Sequence, residues 1–338
     1  MKVLIESYNM AAQNVSGGVQ IKIRNLVHHL NKNKIEAHFF NKWEDKVTDF
    51  NILHIFKLNI EDYHLMNYAK NIGTPVVISS IVNIEKKMQI KANQFLSKFL
   101  PIHTGYAIME DMLNTADAII AETQKEAEFI AKNYMIKEKK IHIIPNGVNI
   151  HVTHGDPKFI QDIIKADREI ILQVGRFDRN KNQLNVIRAM KNSNIPVVFI
   201  GGPDAAQIDY FKQCKFEATD NMHFLGWLKN DDPLLSSAYA NARVVVLPSY
   251  KETFGISLIE GGAVGANLVA TRELPIVEWG LSEYCLGIDP QDKTDIQRTL
   301  IQAYNNPRNP LLPEIIKNKF SSDVVAKQHI EIYTNIIK

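Results

Sequence analysis

Two carboxylates in the stretch 247–271 are placed to recognise a polyol. Glu252 and Glu260 are separated by seven residues, and Phe254 and Gly255 lie between them. An ionised carboxylate only accepts hydrogen bonds, and its two oxygens match the vicinal hydroxyls of a ribose. Glu260 lies in an otherwise apolar, Gly-rich run, where a charged group is seldom buried without a partner. We therefore interpret the two acids as ligand-binding groups rather than solvated surface glutamates.

The segment between the two acids could also bind an anion. The apolar run that ends at Pro248 predicts a buried strand, and the pattern after Gly255 predicts a helix. Glu252 would then lie at the carboxyl end of a parallel strand, where ligands bind in α/β sheets. Amides of Phe254, Gly255 and Ile256 at the helix start favour a phosphate, because they lack intrahelical partners.

A pair of cations on a second loop is suited to a diphosphate. Arg176 and Lys181 follow the predicted strand 169–174 and precede the next helical pattern. Arg can bind phosphate bidentately, and Lys acts as a point charge. Their neighbours Asp178 and Arg179 are expected to face solvent. The loop therefore predicts a phosphate site with two cations.

The elements that must position these residues form two similar halves. Short apolar strands alternate with longer helical patterns, which predicts α/β domains with parallel sheets covered on both faces. We predict a first domain over 1–153, a second over 154–320 and a C-terminal helix over 321–338. Two such domains facing each other across a cleft would surround one ligand with their carboxyl-end loops. The predicted strands are 2–7, 35–40, 50–56, 75–81, 117–122, 140–145, 169–174, 196–201, 223–228, 243–248, 267–271 and 285–288.

Composition narrows the class of protein. The 338 residues are 45% hydrophobic and 22% charged, which suits two globular domains with full cores. A net charge of +2 gives no global electrostatic support for nucleic-acid binding. Cys214 and Cys285 lack metal-ligand spacing and are expected to be buried thiols in a reducing compartment. We expect a cytoplasmic protein, because we find neither a signal peptide nor an apolar run near the ~20 residues that span a bilayer.

The stretch 247–271, with its Glu-x7-Glu spacing, resembles the signature of the retaining family-4 glycosyltransferases, which have the GT-B fold. The similarity extends along most of the chain. The resemblance implies that Glu252 contacts the transferred sugar and that Glu260 holds the ribose of the sugar nucleotide. Arg176 and Lys181 match the Arg-x4-Lys pair that binds the diphosphate in this family.

Other positions are matched to the family one by one. Gly17 and Gly18 fall in the loop that lies beside the donor phosphates in the family, and Leu228 matches an apolar residue beside the nucleotide base. In many members a histidine follows the fourth strand, but Ile81 stands at that position here. His54 is a candidate replacement, although a histidine on a buried strand is more often a core residue.

The resemblance implies a retaining transfer from a UDP- or GDP-sugar to a hydroxyl of a glycan or lipid-linked acceptor. Bacterial surface polysaccharide, lipopolysaccharide or glycoprotein glycan would be the product. Catalysis would be electrostatic, with Arg176 and Lys181 stabilising the leaving diphosphate and Glu252 orienting the sugar. We expect no divalent metal and no other cofactor. In this fold the last helix crosses back onto the first domain.

Alternatives follow from the same residues. The basic amphipathic stretch 84–100 is either an ordinary surface helix or a contact with an anionic membrane at its inner face. The missing histidine also leaves open a GT-B scaffold that binds a nucleotide sugar without transferring it, as a partner subunit. An epimerase or phosphorylase of the same fold is a third possibility, but a pyridoxal site has no visible signal.

Overall fold

The chain folds into two units. A computed structural model describes residues 1–7, 18–82, 90, 104–149, 155–156, 158–203, 205–274 and 278–337. One unit comprises Met1–Gly147 together with Ser322–Lys338, and the other is Val148–Ser321. The chain therefore leaves the first unit earlier than the boundary predicted at residue 153, and it returns for its last helix. No helix in these ranges is both long and apolar enough to cross a lipid bilayer.

The first unit is built on a six-stranded parallel sheet. The strand order is β2-β1-β3-β4-β5-β6. Its strands are apolar because helices cover both faces, and Val3, Leu4 and Ile5 are at most 1% exposed. The strands are β1 (Lys2–Ser7), β2 (Glu36–Phe39), β3 (Ile52–Phe56), β4 (Val76–Ser79), β5 (Ala118–Ala121) and β6 (Ile141–Ile143).

The second unit repeats this architecture. Its six parallel strands have the order β12-β11-β10-β7-β8-β9. They are β7 (Ile170–Val174), β8 (Val197–Ile200), β9 (Met222–Phe224), β10 (Ala242–Leu247), β11 (Asn267–Thr271) and β12 (Cys285–Ile288). The strand predicted over 223–228 stops at Phe224, and Gly226 has a left-handed φ of 72° that an extended strand does not allow. The two parallel sheets, with helices around them, confirm the predicted α/β class.

The helices lie between the strands, as the alternating pattern predicts. The first unit has α1 (Gly18–Lys32), α2 (Tyr63–Asn71), α3 (Gly105–Thr115), α4 (Gln124–Tyr134) and the last helix, α11 (Ser322–Ile337). The second has a π-helical segment (Phe159–Ile164), α5 (Gln183–Met190), α6 (Ile208–Glu217), α7 (Pro233–Ala240), α8 (Ile256–Ala263), α9 (Lys293–Asn305) and α10 (Leu312–Phe320).

The C-terminal helix belongs to the first unit. It packs against α1, and Asn33 Nδ2 donates to Asp323 Oδ1 at 2.9 Å. Val325, Ile332 and Tyr333 of α11 are buried in the same apolar cluster as β1 and β3. The chain therefore crosses back to its amino-terminal sheet, and α11 supplies part of that sheet's cover.

Close packing places α8 directly on the sheet of the second unit. A Cβ added to Gly261 would lie 2.5 Å from Val245 Cγ2 of β10, so only glycine fits there. Strands β10 and β7 are hydrogen-bonded neighbours, with Val245 opposite Leu172. Their carboxyl-end loops are consequently adjacent, and these are the loops that carry the predicted cations and Glu252.

Candidate functional site

The loops after β7 and β10 bring two predicted catalytic residues into contact. The Lys181 ammonium forms an ion pair with Glu252 Oε2, and Ser249 Oγ donates to the same oxygen at 3.3 Å. Both charged side chains are only partly exposed, 22% for Lys181 and 16% for Glu252. Glu252 is therefore held in one orientation before any ligand binds.

Two asparagines fix the relative position of these loops. Asn180 donates from Nδ2 to the Lys251 carbonyl at 2.8 Å, and its Oδ1 accepts from the Lys251 amide at 2.9 Å. Asn182 has a left-handed φ of 59°, and its Nδ2 donates to the Pro248 carbonyl directly after β10 at 3.2 Å and to the Pro290 carbonyl at 2.7 Å. Asn is one of the few residues that tolerate this conformation, since its short amide can bond locally. The loop geometry is set by the backbone contacts of both asparagines.

Asp178 lies inside the site, so the prediction that it faces solvent is wrong. Its Oδ2 accepts from Arg176 Nε at 2.9 Å, and its Oδ1 accepts from the Lys181 amide at 2.9 Å. The residue is 7% exposed. A carboxylate two residues after the arginine can orient the guanidinium and close the turn with its second oxygen. Arg179 is exposed, as predicted.

The turn before α8 has the backbone expected of an anion-binding helix start. Gly255 is the N-cap residue of α8 with φ 86° and ψ 52°, a conformation that favours glycine. The first amides of a helix point outward without an intrahelical carbonyl. Phe254 is 3% exposed and packs edge-to-face against Trp279 and Phe320. Only its backbone is available to a ligand, while Ile256 is partly buried against the core of this unit.

Glu260 lies one turn further along α8 and has a partner that the sequence analysis missed. The Tyr239 hydroxyl donates to Glu260 Oε2 at 2.5 Å, and Tyr239 is fully buried. Burial raises the pKa of Glu260 to about 7, and the hydrogen bond from Tyr239 partly opposes that rise. The available signal was a tyrosine in the short helix α7, whose other residues are small or apolar, because a buried tyrosine hydroxyl usually needs a partner.

Three further residues and one basic stretch were predicted to contact a ligand or a membrane. Leu228 is partly buried against the core of the second unit. Gly18 is the first residue of α1, whereas Gly17 lies outside the described residues. Of the predicted membrane-contact stretch 84–100, only Ile90 is described, and its side chain is buried. The rest of that stretch lies outside the described residues.

His54 is a core residue of the first unit. It is completely buried, with Nδ1 2.7 Å from the Tyr333 hydroxyl and Nε2 3.0 Å from Ser79 Oγ. Burial holds the pKa of His54 well below its ordinary value, so the ring is neutral. The interpretation as a satisfied core histidine is confirmed, and His54 does not replace the family histidine at Ile81.

Comparisons with known proteins agree on one family. The model of "Glycosyl transferases group 1" matches residues 156–321, and that of "Glycosyltransferase Family 4" matches residues 93–152. Together they cover about two thirds of the chain. The first match contains Arg176, Lys181, Glu252 and Glu260.

The individual relatives share little sequence identity with this chain. The chain is 25% identical to an uncharacterised 41.2 kDa protein in the cps region of Klebsiella pneumoniae, over 78% of this chain and 70% of that protein. It is 23% identical to O-antigen chain mannosyltransferase C of Escherichia coli, over 83% of this chain and 76% of that protein. Matches to several other curated relatives span less than half of the relative's own length.

A solved structure shows the same fold along the whole chain. Anabaena HepE, crystallised with UDP, superposes with a TM-score of 0.72 at 15% identity, covering 99% of this chain and 100% of that one. This agreement supports the two Rossmann-like sheets as a GT-B fold. With both family matches and the fold, we conclude that the chain belongs to the group 1, family-4 glycosyltransferases.

Proposed function

We propose that the protein is a retaining glycosyltransferase that uses a nucleotide-diphosphate sugar and needs no metal ion. The arrangement around Glu252 carries this proposal. Lys181 and Glu252 meet at the carboxyl ends of two adjacent strands, Arg176 lies on the same loop as Lys181, and Glu260 lies one turn into α8. Glu252 suits the transferred sugar, Arg176 and Lys181 suit the diphosphate, and Glu260 suits the ribose of one extended donor.

The chemistry follows from these charges. The bond between the anomeric carbon and the diphosphate oxygen breaks, and a bond forms from the same carbon to the acceptor oxygen. The acceptor proton passes to the leaving phosphate on the same face of the sugar. Arg176, Lys181 and the amides at the start of α8 would stabilise the charge that grows on the diphosphate. Glu252 would orient the sugar by accepting from its hydroxyls.

The acceptor belongs to the same proposal. Similarity to an O-antigen chain mannosyltransferase and to a protein of a cps region supports a glycan or lipid-linked acceptor in bacterial surface polysaccharide synthesis. The UDP complex of a protein with the same fold supports a UDP-sugar, with a GDP-sugar as the other candidate. We place the reaction in the cytoplasm, with membrane contact through the stretch 84–100.

The test measures how nucleotide sugars stabilise the protein and how the Arg176→Ala substitution changes turnover. Thermal unfolding is measured against UDP-, GDP- and ADP-sugars, with and without EDTA. A donor at ~100 times its Kd should add about 2.7 kcal/mol to the free energy of unfolding, and EDTA should not remove this effect. Arg176→Ala should reduce turnover at least tenfold and affect turnover far more than folding, because charge-assisted hydrogen bonds to the diphosphate contribute about 1.5–3 kcal/mol.

Arg179→Ala is the matched control, since Arg179 lies on the same loop and faces solvent. Near-normal turnover in Arg176→Ala would contradict the diphosphate assignment. If no nucleotide sugar raises the unfolding temperature of the wild type, and the Glu260→Ala variant gives the same unfolding temperatures with these ligands, a scaffold that does not transfer sugar becomes the better proposal. The isoleucine at position 81 is the observation that would favour that outcome.

A further inference from the structure

Two buried glutamines flank the loop that carries Arg176 and Lys181. Gln173 is the fourth residue of β7, and Gln183 is the first residue of α5. They are 2% and 1% exposed, respectively. Glutamine is mostly found at the surface, and burial of its amide costs free energy unless the amide is hydrogen-bonded. Both side chains therefore need partners inside the fold.

The partners of the two amides are the backbone carbonyls of the two cationic residues. Gln183 Nε2 donates to the Arg176 carbonyl at 2.9 Å, and Gln173 Nε2 donates to the Lys181 carbonyl at 2.8 Å. Between these points, Asp178 closes the turn by accepting from the Lys181 amide. Each cationic residue is therefore held at its backbone by its own buried donor.

A tyrosine of α6 fixes the orientation of the Gln183 amide. The Tyr210 hydroxyl donates to Gln183 Oε1 at 3.4 Å and accepts from the Leu184 amide at 3.1 Å. Tyr210 itself is 4% exposed. Because Tyr210 occupies the amide oxygen, the amide nitrogen points at the Arg176 carbonyl.

Gln173 has a cost that packing does not explain. Its Oε1 is buried and has no hydrogen-bond partner among the described residues. Its neighbours in β7, Ile171 and Leu172, are apolar and completely buried. An apolar residue at position 173 would avoid the unsatisfied oxygen, but it would also remove the donor to the Lys181 carbonyl. A local conflict of this kind in a buried strand is typical of a functional site, and here the group that benefits is Lys181.

We propose that Gln173 and Gln183 are positioning residues for the two cations that bind the diphosphate. Gln183 acts through Arg176, and Gln173 acts through Lys181, so that both cationic side chains start from fixed points on the turn. Cations fixed in this way lower the ordering cost of binding, and they need no rearrangement when charge grows on the leaving phosphate. This inference rests on the proposed function for the identity of the ligand as a diphosphate.

The experiment replaces each glutamine by leucine in the full chain. Binding of UDP, GDP and inorganic pyrophosphate is measured by calorimetry, and turnover is measured with the matching nucleotide sugar. Gln173→Leu and Gln183→Leu should each weaken diphosphate binding and lower kcat about fivefold, the effect of one neutral hydrogen bond. The melting temperature of Gln173→Leu should not fall, because loss of the unsatisfied oxygen offsets loss of the hydrogen bond. A lower melting temperature with unchanged diphosphate affinity would contradict the positioning role.

Double-mutant cycles separate positioning from a general effect on the fold. In an Arg176→Ala background, Gln183→Leu should cost no further diphosphate affinity, because the side chain that it positions is gone. Gln173→Leu should still cost about fivefold in that background. In a Lys181→Ala background the pattern should reverse. A purely structural role predicts the same loss for each glutamine in every background.

Gln213→Leu is the matched control for these substitutions. Gln213 lies on α6 of the same unit, and its Nε2 donates to Glu217 Oε1 of its own helix at 3.1 Å. The variant makes the same chemical change without touching the cationic turn. It should leave diphosphate affinity and turnover unchanged in all three backgrounds.

The results distinguish the positioning roles from the transferase proposal. If sugar is transferred but the glutamine variants lose nothing, or lose the same amount in every background, the positioning roles are wrong and the transferase proposal stands. If a diphosphate binds with the crossed pattern and no nucleotide sugar reacts, the positioning roles stand and the transferase proposal fails. If neither UDP, GDP nor pyrophosphate binds the wild type, the two cations do not form a diphosphate site and the positioning roles are wrong.

Discussion

At the scale of single residues, the acids of the proposed donor site are held by internal partners in the absence of a ligand. Glu252 is held by Lys181 and Ser249, and Glu260 is held by Tyr239. Each carboxylate uses one oxygen, Oε2, for its internal partner. No hydrogen bond to the other oxygen of either carboxylate is seen among the described residues, so this oxygen could accept from a ligand hydroxyl, as the proposed sugar- and ribose-binding roles require. Preorganisation of this kind lowers the ordering cost of binding.

Tyr239→Phe should make donor binding depend more strongly on pH. The Tyr239 hydroxyl favours the ionised form of Glu260, so its loss raises the pKa of this carboxyl further above about 7. More Glu260 is then protonated at neutral pH, and a protonated carboxyl accepts fewer hydrogen bonds from the ribose. The Kd of the donor, measured by calorimetry across a pH series, should rise at neutral pH and recover at alkaline pH.

In the wild-type protein, protonation of Glu260 should raise the Kd of the donor in the same way, but at a lower pH. Tyr304→Phe is a suitable control, because the Tyr304 hydroxyl donates to the Glu169 carbonyl and not to a residue of α8. An unchanged pH profile in Tyr239→Phe, with the same Kd at every pH, would show that Tyr239 only fills space beside Glu260.

At the scale of elements, the turn after β4 is held in an unusual conformation. Ile81 has a left-handed φ of 45°, which is an outlier for a β-branched residue. Glu126 of α4 accepts from Ser80 Oγ and from the Val82 amide, both at 2.8 Å, and its second oxygen accepts from the Glu122 amide at 2.8 Å. One buried carboxylate on α4 therefore joins the turn after β4 to the turn after β5. Strain of this kind persists where surrounding contacts over-determine the backbone.

Glu126→Gln should destabilise the first unit. An amide nitrogen cannot accept from the groups that donate to the carboxylate, so at least one buried donor loses its partner, at a cost of about 1–3 kcal/mol in the free energy of unfolding. Urea denaturation measures this change. Glu128→Gln is the control, since Glu128 is exposed on the same helix. Equal stability of both variants would mean that Glu126 does not hold the Ile81 turn.

At the scale of the whole molecule, the first unit is discontinuous in sequence. Its sheet is formed by residues that precede Gly147, but part of its core comes from α11 at the other end of the chain. Tyr333 is completely buried, and its hydroxyl lies 2.7 Å from His54 Nδ1 of β3. The first unit is therefore complete only when the last helix is in place.

Tyr333→Ala should weaken the first unit selectively. Truncation of a large buried aromatic residue typically costs 3–5 kcal/mol, because it removes apolar contacts and leaves a cavity. Hydrogen exchange followed by mass spectrometry should show faster exchange in Met1–Gly147 and in α11. Val148–Ser321 has its own core and should keep its protection. Glu331→Ala, on the exposed face of α11, should change neither unit, and loss of protection throughout Val148–Ser321 would contradict the separation of the two cores.

Much of the architecture could be predicted because it follows from local patterns. Each buried parallel strand is a short apolar run, and a run of this kind is visible without a partner strand. The roles of Glu252, Glu260, Arg176 and Lys181 stay predictions that rest on spacing and resemblance, and the structure adds their surroundings. The unmatched position at Ile81 was also visible in the sequence, although its left-handed backbone was not.

By itself, the sequence determined the alternation of strands and helices, the class of fold and the short-range spacing of the candidate site residues, because all of these are encoded within a few neighbouring positions. Only the tertiary structure decided which polar side chains are buried and which partners they contact. Asp178 looked like a surface acid until the turn placed it against Arg176. The contact of Tyr239 with Glu260 likewise depends on packing between two different helices, and the energy of a buried polar group is set by partners that sequence spacing does not reveal.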